Sequence, residues 1–180
     1  MIANILNAIT LSRIFCAILI YLILFLESNY SLALFLFFVA SFSDFLDGYL
    51  ARKTDSVSVL GEILDPIADK LLIVFVLIGL SINLDSFLIG FISAIIISRE
   101  IWVAALRDIN ARNNQSDKTK VTFLAKTKTA IQMLAILMYL FGLTLNNMMI
   151  LFFADIVLTI ALLVTIQTGF QYTVSTFKNE

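Results

Sequence analysis

The chain has 180 residues, 61% of them apolar, with a mean hydropathy of +1.00, and its 12 basic and 13 acidic side chains leave a net charge of −1. That apolar excess lies outside the usage of soluble domains and predicts an integral membrane protein. A single cysteine excludes an internal disulfide framework, the absence of histidine leaves no zinc ligand set of the usual kind, and no nucleic-acid-binding motif is present.

Six apolar stretches reach the roughly 20 residues that cross a hydrocarbon core as helices, at 8–26, 31–50, 63–81, 86–106, 127–145 and 148–169. They are continuous rather than alternating, which predicts an all-α membrane fold and excludes a barrel. The first stretch contains Arg13 and Cys16 and shows no small-residue cleavage site after Leu26, so it is expected to remain as a helix rather than be removed as a leader. Cys16 reads as a small apolar side chain. Asp44, Asp47 and Gly48 lie near the end of the second stretch, Asp65 and Asp69 near the start of the third, and Arg99 and Glu100 within the fourth.

The segment 107–126 is the longest polar one and has too few apolar residues for a core, so it reads as a connection. Its Arg112, Lys118 and Lys120 suit a positive-inside signal and attraction to anionic lipid. Lys126 ends that segment and Lys128 lies at the start of the fifth stretch; Asp155 lies midway along the sixth, with no assigned role. The connections 27–30, 82–85 and 146–147 carry no Lys or Arg, which places both termini in the cytoplasm. No internal repeat or separate soluble segment appears, so residues 1–180 are expected to form one membrane domain. Gly79, Gly90 and Gly142 read as helix-packing positions.

Counting from the ends without basic residues, Arg13, Asp44, Asp69 and Arg99 each lie thirteen residues inward, about 20 Å at the helical rise. Four helices therefore turn polar at one depth, which predicts a polar cavity in the inner leaflet, open to the cytoplasm. Asp44 and Asp47 are three apart, and Asp65 and Asp69 four apart, so each pair projects from one helix face. Four like charges in one region repel, and a cation removes that conflict. Hard oxygen ligands suit one or two Mg2+ or Mn2+ ions. Gly48 and Ala51 leave room for a ligand to approach the backbone, Gly61 precedes Asp65 by one turn, and Arg52 supplies a guanidinium for phosphate. Together these residues suggest a pocket for a nucleotide diphosphate.

The run Asp44-x-x-Asp47-Gly48-x-x-Ala51-Arg52, eight residues, Gly61-x-x-x-Asp65-x-x-x-Asp69 resembles, without a gap, the signature of the CDP-alcohol phosphatidyltransferases. The resemblance implies transfer of a phosphatidyl group from a CDP-activated lipid to an alcohol with release of CMP, two divalent cations (Mg2+ or Mn2+), and a homodimer. Carried onto this chain, it implies Asp44, Asp47 and Asp65 as metal ligands, and Asp69 as the general base that also borders the metals. Gly48, Ala51, Arg52 and Gly61 would hold the CDP moiety.

Further stretches, Asn7-Ala8-Ile9-Thr10-Leu11-Ser12-Arg13, Leu64 to Lys70, Arg99-Glu100 with Leu106-Arg107, and Lys126-Thr127-Lys128-Thr129 with Gln132-Met133, resemble those members that use CDP-diacylglycerol and glycerol 3-phosphate. Leu6 and Ile9 depart from that pattern, where Pro and Leu are common. Arg107, Lys126, Lys128 and Arg99 are the expected holders of the acceptor's phosphate, because the carboxylate array would repel its two negative charges. Glu100 is a potential ion-pair partner of Arg99. The expected site is the cytoplasmic face of a bacterial inner membrane, with a mitochondrial inner membrane as second choice. Competing acceptors are serine, inositol phosphate and phosphatidylglycerol. A metal-ion or anion transporter is the competing class; transport sites tend to lie near the midplane between inverted repeats, whereas these acids are offset to one side.

Overall fold

The computed structural model describes the backbone of residues 2–26, 29–54, 59–119 and 123–178, and the side chains of 7–26, 29–43, 61, 63–115, 117–119, 124, 125 and 127–178. Among the described residues the chain is wholly helical: α1 (Ile2–Leu26), α2 (Tyr30–Thr54), α3 (Val59–Asn83), α4 (Phe87–Arg112), α5 (Phe123–Thr144) and α6 (Met148–Phe177), with a short 3-10 helix at Ser116–Thr119 between α4 and α5. Among the described residues four of these are long and apolar enough to cross a membrane, within α1, α4, α5 and α6; the described apolar part of α2, Tyr30–Ser43, is shorter.

The helix ends at the connections without basic residues are set by short polar side chains. Asn29 Oδ1 accepts from the Leu32 amide, Ser86 Oγ from the Ile89 amide and Asn147 Oδ1 from the amides of Met149 and Ile150, each satisfying donors that a helix start leaves open. Asp85 and Asn146 take positive φ of 47° and 50°, a conformation that Asn and Asp tolerate better than most residues, and so allow the tight reversals α3–α4 and α5–α6. Pro66 lies inside α3 and does not stop it, although it removes one helical donor.

The helices form a closed ring in the order α1, α2, α5, α6, α4, α3, and α3 also touches α5 across the centre. The core between them contains Ile20, Leu24, Phe37, Leu72, Val76, Leu77, Ile136 and Leu140. Phenylalanines at 15, 35, 87, 152 and 170 point outward, the inversion expected when the solvent is lipid. Close approach is built in at two glycines: a Cβ on Gly142 would lie 2.8 Å from Leu151 of α6, and one on Gly79 would lie 3.1 Å from Leu24 of α1. Asp155 accepts a hydrogen bond from the Tyr139 hydroxyl, joining α5 to α6. Cys16 is free and half-buried.

The described part of the segment 107–126 is more than a plain connection. Helix α4 continues to Arg112, and the 3-10 helix docks on the end of α6, where Ser175 Oγ donates to the Lys118 carbonyl at 2.8 Å and Lys118 Nζ to the Thr176 carbonyl at 3.2 Å. The sixth helix also outruns its apolar stretch by two turns, and those turns make these contacts.

Candidate functional site

Thr10 and Arg13 lie three apart on α1, and Asp65 and Asp69 four apart on α3, so parallel helices bring them together in register. Thr10 Oγ1 donates to Asp65 Oδ1 at 2.7 Å, and Arg13 Nη1 to Asp69 Oδ1 at 2.8 Å. Fourteen residues beyond Asp69, Asn83 Nδ2 reaches the Leu24 carbonyl at 2.8 Å, which keeps the same register to the far end. Arg13 is fully buried and the Asp69 side chain is 31% exposed, whereas Asp65 is exposed. A buried guanidinium needs an anion within reach, and Asp69 supplies it. The equal depth read from the sequence for Arg13 and Asp69 is thus met by direct contact.

Asp44, Asp47, Gly48, Ala51 and Arg52 occupy the last three turns of α2; their side chains lie outside the described residues, as does that of Lys126. Gly61 is buried in the first turn of α3, one turn before Asp65.

A second group centres on Glu100 of α4. Its Oε1 accepts from Arg99 Nη1 at 2.9 Å and from Lys128 Nζ of α5, and its Oε2 lies 3.6 Å from Lys70 Nζ of α3. Lys128 and Arg99 are more than nine-tenths buried. Three helices therefore place three cations around one carboxylate, one of them, Lys70, next to Asp69 in the chain. The sequence reading paired Arg99 with Glu100 and put Arg99 and Lys128 in one pocket; it did not include Lys70, although Lys70 follows Asp69 directly.

Arg107 sits two turns further along α4 and joins the group through an aromatic ring. The Arg99 and Arg107 guanidinium carbons lie 5.6 and 5.5 Å from the Tyr172 ring centroid, within cation–π range. Arg99 Nη2 also donates to Thr168 Oγ1 at 2.9 Å, and α6 approaches closely because residue 169 is glycine: a Cβ there would lie 3.1 Å from Arg99 Cγ. The Nε atoms of Arg99 and Arg107 are buried without a hydrogen-bond partner, and among the described residues Arg107 has no carboxylate partner. With Arg99, Lys70 and Lys128 sharing one carboxylate and Arg107 held, among the described residues, by a ring alone, positive charge is in excess here and suits an incoming anion with several oxygens. Thr168 and Tyr172 were not legible as site residues, since the last helix reads as generic apolar sequence.

For a divalent cation, Asp65 and Asp69 offer hard oxygens from one helix face, with one oxygen of each already fixed by α1. That chemistry fits Mg2+ or Mn2+. Among the described residues no three carboxylate or thiol groups converge; the side chains of Asp44 and Asp47 lie outside them.

The model of the CDP-alcohol phosphatidyltransferase family matches residues 3–167 of the chain. A CDP-diacylglycerol–glycerol-3-phosphate 3-phosphatidyltransferase of Rickettsia bellii is 39% identical over 172 residues, 94% of this chain and 93% of the relative. Proteins of the same name from Haemophilus influenzae and Rickettsia felis are 39% identical over 82% of this chain and 78% of the relative, and 37% identical over 94% and 93%.

Proposed function

The chain belongs to the CDP-alcohol phosphatidyltransferase family, and we propose that it transfers the phosphatidyl group of CDP-diacylglycerol to sn-glycerol 3-phosphate, releasing CMP and forming phosphatidylglycerophosphate. The observation that carries this reading is the juxtaposition of the α3 carboxylates with a cation-rich pocket on α4 and α5, in a chain so similar to relatives bearing that name. Serine has no phosphate to satisfy Lys70, Arg99 and Lys128, which favours a phosphorylated acceptor over it.

In this reading all six helices span a bacterial inner membrane as one domain, with both termini and the site on the cytoplasmic side and the protein acting as a homodimer. Asp44, Asp47, Asp65 and Asp69 would hold two divalent cations, Mg2+ or Mn2+, whose chemistry when bound is to neutralise the pyrophosphate and the charge that develops on the leaving CMP. Gly48, Ala51, Arg52 and Gly61 take the CDP moiety. Lys128, Arg99, Arg107 and Lys126 take the acceptor's phosphate, leaving its free hydroxyl directed toward α3.

That hydroxyl attacks the β-phosphorus, the one esterified to diacylglycerol. A new oxygen–phosphorus bond forms, the bond from the β-phosphorus to the oxygen bridging the two phosphates breaks, and CMP departs with that bonding pair. The hydroxyl proton passes to Asp69, whose carboxylate Arg13 orients through Oδ1. Because the acyl chains stay in the bilayer while nucleotide and acceptor come from the cytosol, a site at this depth needs no lipid extraction.

The test is CMP release from CDP-diacylglycerol by the purified protein in detergent, with glycerol 3-phosphate, serine, inositol phosphate or phosphatidylglycerol offered separately. The expected result is release with glycerol 3-phosphate alone, lost on chelation with EDTA and restored by Mg2+ or Mn2+. Release with a different acceptor instead would overturn the acceptor assignment, and no release with any acceptor from folded protein would overturn the reaction.

A further inference from the structure

We propose that Glu100 is an internal competitor for the acceptor's phosphate, holding the cationic pocket between turnovers and reclaiming it as product leaves. This rests on the assignment of that pocket to the phosphate of glycerol 3-phosphate. One oxygen of Glu100 receives both Arg99 and Lys128, and the other faces Lys70. That is the place and the bonding that one edge of a phosphate monoester would take.

The partners divide unequally. Arg99 is held independently by Thr168 and by the Tyr172 ring, so its position survives departure of the carboxylate. Lys128 is almost fully buried and depends on Glu100 for its counter-charge, and a buried ammonium left without an anion is strongly disfavoured. Lys128 therefore requires an anion in every state of the cycle, supplied by Glu100 when the pocket is empty and by phosphate when it is full. Three cations against one carboxylate leave two positive charges on these four side chains, matching the charge of a phosphate monoester dianion.

Product release gives the exchange its use. Phosphatidylglycerophosphate keeps the acceptor's phosphate, so a pocket without an internal anion would hold product as firmly as substrate. Glu100 offers Lys128 and Lys70 a replacement partner at the moment of departure.

The test is the Glu100→Gln variant, assayed for CMP release with inorganic phosphate as inhibitor against glycerol 3-phosphate. Competition predicts that the KM for glycerol 3-phosphate and the Ki for inorganic phosphate both fall by about tenfold. It also predicts that kcat falls with them as product release slows, while the KM for CDP-diacylglycerol is unchanged. Glu100→Asp, whose carboxylate is drawn back by one methylene, is expected to shift the same quantities in the same direction by less, and serves if the glutamine variant does not fold. An unchanged or raised KM and Ki would overturn the proposal, because a carboxylate that only holds the lysines in place gives that result. If the wild-type protein releases no CMP with glycerol 3-phosphate, the proposed reaction fails instead. Calorimetric titration of inorganic phosphate into wild type and variant then still decides the competition, tighter binding by the variant supporting it and equal or weaker binding overturning it.

Discussion

Arg13 and Asp69 form the ion pair on which the α1–α3 half of the site depends. Breaking a fully buried pair by removing one partner costs roughly 3–5 kcal/mol. Here Arg13 is fully buried but the Asp69 side chain is 31% exposed, so water recovers part of that loss and about 2 kcal/mol is the expected cost of Arg13→Gln. Thermal unfolding in detergent should show the loss, together with a fall in turnover of at least about tenfold as Asp69 loses its orientation. Asp69→Asn tests a different property: it keeps the shape and can still face Arg13, but it cannot take up the acceptor's proton. Turnover should disappear while CDP-diacylglycerol binding, measured by calorimetry, is largely retained; near-normal turnover would remove Asp69 as the base.

Helix α6 contributes no charged residue to the cluster around Glu100, yet it holds the two arginines of α4. Tyr172 lies against both guanidinium groups, Thr168 accepts from Arg99, and Asn110 of α4 donates to Thr176 at 2.9 Å. A cation–π contact contributes about 0.5–2 kcal/mol depending on desolvation. Losing two of them in Tyr172→Ala should raise the KM for glycerol 3-phosphate by about tenfold with little effect on the KM for CDP-diacylglycerol. Tyr172→Phe keeps the ring and should restore most of the difference. Equal changes in both KM values would mean that α6 supports the fold generally rather than the arginines in particular.

The six-helix ring has opposite characters at its two ends. At one end the connections α3–α4 and α5–α6 are tight, capped and free of basic residues; at the other lie the carboxylates, the cations and the 3-10 helix docked on α6. The proposed orientation, which turns the charged end toward the cytoplasm, is testable in a Cys16→Ala background. A cysteine at Asn146 should react with a membrane-impermeant thiol reagent in intact cells, and one at Lys178 only after permeabilisation. The reverse pattern would invert the topology and move the site to the outer face.

Much of this was legible in the residues themselves. The all-helical class follows from long continuous apolar stretches, because a backbone in lipid must bond within its own segment; among the described residues four helices are long and apolar enough to cross a membrane. The spacing of Asp44, Asp47, Gly48, Ala51, Arg52, Gly61, Asp65 and Asp69 carries the resemblance to the family, whose model matches residues 3–167. Counting residues from the uncharged ends put Arg13 and Asp69 at one depth, because the helical rise is constant. Which helix meets which was not legible. Sequence distance says nothing of the ring order α1, α2, α5, α6, α4, α3, so that Thr10 meets Asp65, that Lys70 shares Glu100 with Lys128, and that Asp155 accepts from Tyr139 emerge only from packing. Tyr172 and Gly169 show the same limit: in a helix of apolar and small residues nothing marks them out, and they acquire a role because α6 lies against α4 closely enough for a ring and a missing side chain to fix two arginines.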